Sequence, residues 1–306
     1  MGREARLTVS TDAATLKPAP FEYHAPDTAA DAANLLAELG DGAKLLAGGQ
    51  SLIPMLALRL AVFEHLVDIG RIAELSGIER RGGGLWVGAG TTEAAVETSA
   101  EVASAVPLLA KATPLIGHFQ IRSRGTLGGS IAHADPAAEY PAVALALDAD
   151  MEVVSPRGRR TIAASDFFDG LWSTTMEPDE ILVGVSFPIW SGRSGFAVEE
   201  FARRHGDFAI AGAAIAVELD GDDRIERCAI GLFGLGSTPE RATAAEAELA
   251  GRPVTDVELE AVGRLAMAGL QSVPSDLHGS AEYRKRVGAA MVARAWTAAT
   301  TEARRA

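Results

Sequence analysis

Two glycine pairs set the tightest limits on how this chain can fold. They are Gly48-Gly49 in AGGQS and Gly128-Gly129 in TLGGS. Paired glycines let the backbone approach a ligand, because no Cβ stands in the way. Successive N–H groups in such a segment can converge on an anion, while Gln50, Ser51, Thr126 and Ser130 add side-chain hydrogen bonds. Each pair reads as a tight connection or strand-end turn. Two such loops facing each other suit a diphosphate, which takes donors from both sides; either one alone is an ordinary turn.

The competing phosphate motifs fail. There is no G-x-x-x-x-G-K-[ST]. Gly88-Ala89-Gly90 begins like a dinucleotide fingerprint, but Glu93 stands where the third glycine belongs, so the segment reads as a strand-to-helix turn capped by Thr91 or Thr92. Gly234 and Gly236 fail in the same way ahead of Pro239.

The patterning around the glycines is that of an α+β chain. Asp27 or Thr28 can cap a helix, TAADAANLLAELG, which Gly40 closes. Short strands AKLLA and EHLVDIG flank the apolar run SLIPMLALRLAV, making a small α/β unit. GIERRGGGLWVGAG reads as a hairpin, followed by helices over about 92–98 and 102–113, then by strands in PAVALALDADMEVVSP and EILVGVSFPI. A polar break, WSGRSG, precedes the paired strands AIAGAAIAVELDG and IERCAIGLFGLG. Thr255 and Glu258 form a capping box for VELEAVGRLAMAGL, and a last helix runs from about Ser280 to Thr300.

Charge and cysteine content exclude whole classes. A net charge of −13 repels nucleic acid and anionic membrane surfaces. No apolar run approaches the roughly 20 residues that span a bilayer. The opening MGREARLTVSTDAATLKPAP lacks the apolar stretch of a secretory signal, which points to a cytoplasmic location. One cysteine, Cys228, excludes an intrachain disulfide and an iron–sulfur cluster held by this chain alone; it reads as a buried strand thiol. The six histidines form no HExxH and no His-x-His, so no metal site is expected. Acid–base candidates stay open. Asp135 and Glu139 either accept from ligand hydroxyls or sit at a helix N-terminus for its dipole. His118 and His133 either flank a site or are satisfied core histidines. Arg122 and Arg124 either screen phosphates or pair with carboxylates, and Phe208 either covers a ring or is core.

The words FEYHAPDT, LLAGGQSLIPMLALRLA, IGHFQIRSRGTLGGSIAHADPAAEYPAVALALDA, PDEILVGVSFP, RRHGDFAIAGAAIAV and DLHGSAEYRKRV occur in order from Phe21 to the C-terminus. In them the chain resembles the FAD-binding medium subunit of the molybdenum hydroxylase family, that of xanthine dehydrogenase and carbon monoxide dehydrogenase. The resemblance implies a vanillyl-alcohol-oxidase (PCMH)-type FAD-binding fold of two subdomains plus a smaller C-terminal α/β domain. The expected division is a polar extension over 1–20, an FAD-binding domain over 21–190 with subdomains of about 21–75 and 76–190, and a C-terminal domain over 195–306. The first FAD loop falls on Leu45, Leu46, Ala47, Gly48, Gly49, Gln50, Ser51 and Leu52. The second falls on Thr126, Leu127, Gly128, Gly129 and Ser130. Ile116 matches an apolar or aromatic FAD contact, Glu139 a hydroxyl-binding carboxylate, and Leu182 and Arg203 two later contacts, with Arg204 the rival of Arg203. Phe208 matches an aromatic shield over the flavin.

The function that the resemblance implies is an electron relay. Noncovalent FAD would sit here, a molybdenum cofactor in a large partner subunit, and two [2Fe-2S] clusters in a small one, assembled as a dimer of heterotrimers. Within the family, carbon monoxide dehydrogenase carries His at the place of Gln50 and Asp at that of Ser130, which leans this chain toward an organic substrate. The alternatives are a self-sufficient flavoprotein oxidase or dehydrogenase of the same fold, and a non-catalytic scaffold whose glycine loops are only turns.

Overall fold

The computed structural model describes residues 17–306, so the polar extension lies, up to residue 16, outside the described residues. The chain first builds a parallel sheet from β1 (Glu22–His24), α1 (Ala29–Leu39), β2 (Ala43–Leu46), α2 (Leu52–Ala57) and β3 (His65–Asp68), in the order β1-β3-β2. Thr28 caps α1 by accepting from the Asp31 N–H at 3.0 Å, and Gly40 ends it at φ 59°. Ala29, Ala32, Ala33 and Leu36 form its buried stripe. That stripe packs on Val67 and Ile69 and reaches Val154, Ile181 and Val183 of the next sheet. The run SLIPMLALRLAV holds the short helix α2.

The middle of the chain adds a five-stranded antiparallel sheet, ordered β4-β5-β8-β6-β7, and the helices that cover it. The elements are β4 (Ile78–Arg81), β5 (Gly84–Gly88), α3 (Glu93–Thr98), α4 (Ala100–Ala105), α5 (Pro107–Ala112), α6 (Phe119–Arg122), α7 (Leu127–His133), α8 (Glu139–Ala146), β6 (Asp150–Ser155), β7 (Gly158–Ala163), α9 (Ala164–Phe167) and β8 (Ile181–Pro188). Two expectations give way here. The helix expected over 102–113 is two helices, because Pro107 cannot donate into a continuing ladder and instead starts α5. The strand expected in PAVALALDADMEVVSP begins only at Asp150, because the first half is α8. Seven of the eight α8 residues are buried, so the helix shows no polar face and its apolar run carries no helical period.

A four-stranded antiparallel sheet, ordered β12-β11-β10-β9, ends the chain: β9 (Arg193–Phe201), β10 (Ala211–Leu219), β11 (Ile225–Phe233) and β12 (Glu240–Arg241), with α10 (Thr243–Leu249), α11 (Leu259–Ala268) and α12 (Ala281–Ala303). The polar break WSGRSG runs into β9, a strand that sequence reasoning missed. The capping box of Thr255 and Glu258 does not form. Val254–Asp256 is a 3-10 turn, and α11 starts after Glu258 with no side-chain cap. α12 crosses β9 so closely that a Cβ on Gly195 would stand 2.5 Å from the Ala303 nitrogen.

The last sheet shares its core with the middle unit. Phe196, Ala214, Ala216 and Ala229 belong to the same buried cluster as Leu109, Val143 and Phe187. α8 lies against β11, where a Cβ on Gly231 would stand 2.5 Å from the Ala142 carbonyl oxygen. Lys111 Nζ, from α5, donates to the Phe196 carbonyl at 2.7 Å.

Candidate cofactor-binding site

A cleft of about 780 Å³ opens where β2, α7 and the loop after β9 meet. It is within the size range of ligand-binding pockets. On one wall, β2 ends at Leu46 and the chain turns through residues 47–51 into α2. The backbone N–H groups of Gly48, Gly49, Gln50 and Ser51 find no acceptor among the described residues. Gly49 sits at φ 73°, which favours glycine. Consecutive free N–H groups on a turn of this kind make an anion-binding concavity. The Gln50 amide donates to the Gly48 carbonyl at 3.0 Å and so stiffens the turn itself.

The second glycine pair is not a loop. Gly128 and Gly129 lie in the first turn of α7, with Thr126 as N-cap. Its N–H groups are already spent: Leu127 donates to Thr91 O at 3.0 Å, Gly128 to Ala89 O at 2.8 Å, and Gly129 to Thr126 Oγ1 at 3.0 Å. These glycines serve close approach instead. A Cβ on Gly128 would overlap Ala89, and one on Gly129 would stand 3.6 Å from the Cβ of Ala47 on the facing segment. The picture of two equivalent donor loops is therefore corrected: the first segment supplies the donors and the second supplies the closeness.

Leu45 and the segment from Ala47 to Leu52 line the cleft, as do Thr126, Gly128, Gly129 and Ser130. Ile116, Glu139 and Leu182 line it too, and Phe208 stands at the rim, 64% exposed. Three of the expected residues lie outside the lining. Leu46 gives its carbonyl to the Ile69 N–H, Leu127 is fully buried in the core, and Arg203 is exposed, as is Arg204. Arg122 settles as a carboxylate partner, donating twice to Glu97 at 2.8 and 3.0 Å. Neither His118, which is exposed, nor the half-buried His133 is a core histidine; His133 lines the cleft. Cys228 is buried in β11, and burial pushes its thiol up to about 12.

Lys44, Trp172 and Glu93 are among the lining residues that sequence reasoning missed. Lys44 brings a cation from β2. Trp172 stands at φ 55°, its ring plane within 6° of the His133 ring and its Nε1 donating to Asp135 Oδ2 at 3.3 Å. Glu93 stands out in the sequence only as the residue that spoils a glycine fingerprint. Thr92 caps α3, and this places Glu93 in the first helical turn, 4% exposed and facing the cleft. Burial pushes the Glu93 carboxyl up to about 7, against the pull of Arg122. Glu139 opens α8, so the helix N-terminal and the cleft-facing readings both hold for it. Burial, with Glu200 beside it, pushes its carboxyl up to about 8. Burial likewise raises Glu200, on β9, to about 7. Burial thus favours the neutral form of the carboxyl to which the resemblance gives a hydroxyl-binding role.

Away from the cleft, the parallel register Glu22↔His65 brings together groups that no local motif joins. Glu22, His24 and His65 offer ligand atoms within 4.8 Å of one another, with His24 Nε2 and His65 Nδ1 3.2 Å apart. Among the described residues, no helix is long and apolar enough to cross a membrane.

Residues 19–190 match the FAD binding domain in molybdopterin dehydrogenase, and residues 196–299 match the CO dehydrogenase flavoprotein C-terminal domain. The carbon monoxide dehydrogenase medium chain of Hydrogenophaga pseudoflava is 40% identical over 92% of this chain and 98% of its own length. Subunit alpha of the 6-hydroxypseudooxynicotine dehydrogenase complex of Paenarthrobacter nicotinovorans is 41% identical over 94% of this chain and 97% of its own. Among solved structures, a chain of carbon monoxide dehydrogenase from Hydrogenophaga pseudoflava superposes with a TM-score of 0.90 at 41% identity, covering 93% of this chain and 99% of that one.

Proposed function

The chain belongs to the family of FAD-binding medium subunits of molybdenum hydroxylases, and from that premise we propose that it works as an electron relay inside a heteromeric complex. The observation that carries the proposal is the run of free N–H groups from Gly48 to Ser51, faced at close range by Gly129. That cradle fits a diphosphate: the donors stand on one side, and a Cβ on the other would fill the space. Lys44 adds a positive charge on the same wall. Ile116 and Leu182 offer apolar contacts, and Phe208 an exposed ring at the mouth. The protein's part is to bind, orient and shield; a flavin held here would supply the two-electron chemistry linking iron–sulfur clusters of a partner to an external acceptor.

The partners in this reading are a small subunit with two [2Fe-2S] clusters and a large molybdenum-cofactor subunit, as a dimer of heterotrimers in the cytoplasm. The complex acts on an organic substrate such as a purine, an N-heterocycle or an aldehyde. Relatives named for carbon monoxide and for 6-hydroxypseudooxynicotine are about equally similar to this chain, at 40% and 41% identity. That parity supports placing the choice of substrate in another subunit, with this chain keeping the relay. The test is anaerobic flavin reduction by candidate substrates, with the chain alone, with the whole complex, and with the complex lacking its iron–sulfur chain. Reduction only in the whole complex is expected. Fast reduction of the isolated chain would instead promote the self-sufficient flavoprotein.

A further inference from the structure

We propose that Glu93 and Glu139 in the cleft wall, with Glu200 beside Glu139, form a proton-holding patch, and that the chain takes up a proton when an anionic dinucleotide enters. The proposal rests on the reading of the cleft as the FAD site. It adds Glu93 as a contact residue, and Glu200 of the C-terminal sheet as the neighbour of Glu139.

The geometry begins with Glu93. Its carboxyl lies flat against the Gly125 backbone, where a Cβ would stand 2.5 Å from Oε2, so this glycine makes room for it. Oε2 is buried and has no hydrogen-bond partner among the described residues, although Glu93 lines the cleft. A buried carboxyl oxygen without a partner gains nothing to offset its lost hydration, so the protonated form is favoured there. Glu139 lines the same cleft from α8 at 8% exposure, and Glu200, on β9, stands beside it with its carboxyl turned to Glu139 and its Oε2 buried. Three carboxyls from three elements thus converge, and burial raises all of them into the neutral range.

Lys44 brings its cation from β2, and the other groups around the patch do little to compensate. Arg122 is committed to Glu97 and to the carbonyls of Ile116 and Gly117. Tyr140 is tied to Thr113 at 2.9 Å, Asp135 adds another negative charge, and burial pushes His133 down toward its neutral form. A diphosphate entering this space disfavours every ionised carboxylate near it, so the bound state holds more protons than the free state. By linkage, FAD affinity is full below about pH 7 and falls as pH rises through the window in which the patch ionises. The limit is about tenfold per pH unit for each proton taken up.

The experiment is calorimetric titration of the flavin-stripped full chain with FAD between about pH 6 and about pH 9, in buffers of different ionisation enthalpy. Net uptake approaching one proton per FAD near pH 8 is expected, with dissociation constants that climb in parallel. Glu93→Gln, which keeps the shape and loses the titration, reduces the uptake and flattens the pH profile. Glu200→Gln, which lies outside the cleft lining, does the same in smaller measure. FAD binding with no proton uptake, or with uptake unchanged in both variants, overturns the patch and leaves the FAD reading standing. FAD failing to bind at every pH overturns both.

Discussion

Gly48 and Arg124 are in backbone contact across the cleft floor. A Cβ on Gly48 would overlap the Arg124 carbonyl oxygen and stand 2.8 Å from the Gly125 Cα. This contact, rather than any hydrogen bond, sets the distance between the donor turn and the helix that faces it.

Gly48→Ala therefore forces the two walls apart, and Gly129→Val crowds both the Thr126 cap, 2.8 Å from its Cβ, and the cofactor space. Each variant is expected to lose at least tenfold in FAD affinity, or about 1.4 kcal/mol. Flavin-to-protein stoichiometry after gel filtration reads the outcome. Full retention in both variants would sink the placement of the diphosphate between these segments.

Glu139→Ala tests the role of a neutral acid. With its carboxyl raised to about 8, Glu139 exchanges ordinary rather than charge-assisted hydrogen bonds at pH 7. The expected loss is about 0.5–1.5 kcal/mol of FAD binding, mostly restored in Glu139→Gln. If melting of the flavin-free and flavin-bound forms shifts equally, Glu139 serves the start of α8 alone.

The flavin-free chain should lose stability as pH rises from about 4.5 to about 8. Between those limits the folded Glu139 holds a proton that the unfolded chain has released, so the slope of unfolding free energy against pH is negative. Above about 8 both states are ionised and the contribution is flat. The slope from this one group has an upper limit of about 1.4 kcal/mol per pH unit. Urea unfolding at several pH values measures it, and an unchanged slope in Glu139→Gln contradicts the assignment.

Arg284 ties the rim of the cleft to the C-terminal core. It is 5% exposed, donates to the Ile210 and Gly234 carbonyls at 2.7 and 3.1 Å, and grips both oxygens of Asp276 at 2.9 and 2.8 Å. Arg284→Met strands the two carbonyls while Asp276 stays solvated, and is expected to cost about 1–3 kcal/mol for each buried carbonyl in chemical denaturation. Because Ile210 closes the loop that carries Phe208, flavin retention should weaken in step; a stable variant with full flavin would show the loop to be independent of its anchor.

Local signals were legible wherever chemistry is local. Thr28 and Gly40 bound a helix by their own caps, and α12 starts just after Ser280, about where the pattern puts it. The glycine pairs marked the cleft because close approach demands them regardless of the surrounding element. What the pattern hid is tertiary. α8 reads as a strand because burial on all sides erases its period, and β9 reads as a break because Arg193 and Ser194 are polar although the strand pairs along its whole length. Glu93 was invisible as a site residue, since only the fold reveals that a charged side chain follows the Thr92 cap inward. The donor role of the first segment and the spent N–H groups of the second likewise depend on partners such as Thr91 and Ala89, far from Gly128 in sequence.

The shared core of Phe196, Ala214 and Ala229 with Leu109 and Val143 bears on exchange between relatives. The two family domains, over 19–190 and 196–299, look like interchangeable modules on a map of the gene. Physically they are one solid, since β9, β10 and β11 are the floor on which α5 and α8 rest. A hybrid gene joined in the short stretch between them would graft a foreign floor under the helix that begins at Glu139. Such a hybrid should mismatch in volume at the seam even where each half is well formed by itself. Crossovers that keep α5, α8 and the last sheet from a single parent avoid that mismatch, so in this fold inheritance follows the packing rather than the domain boundary.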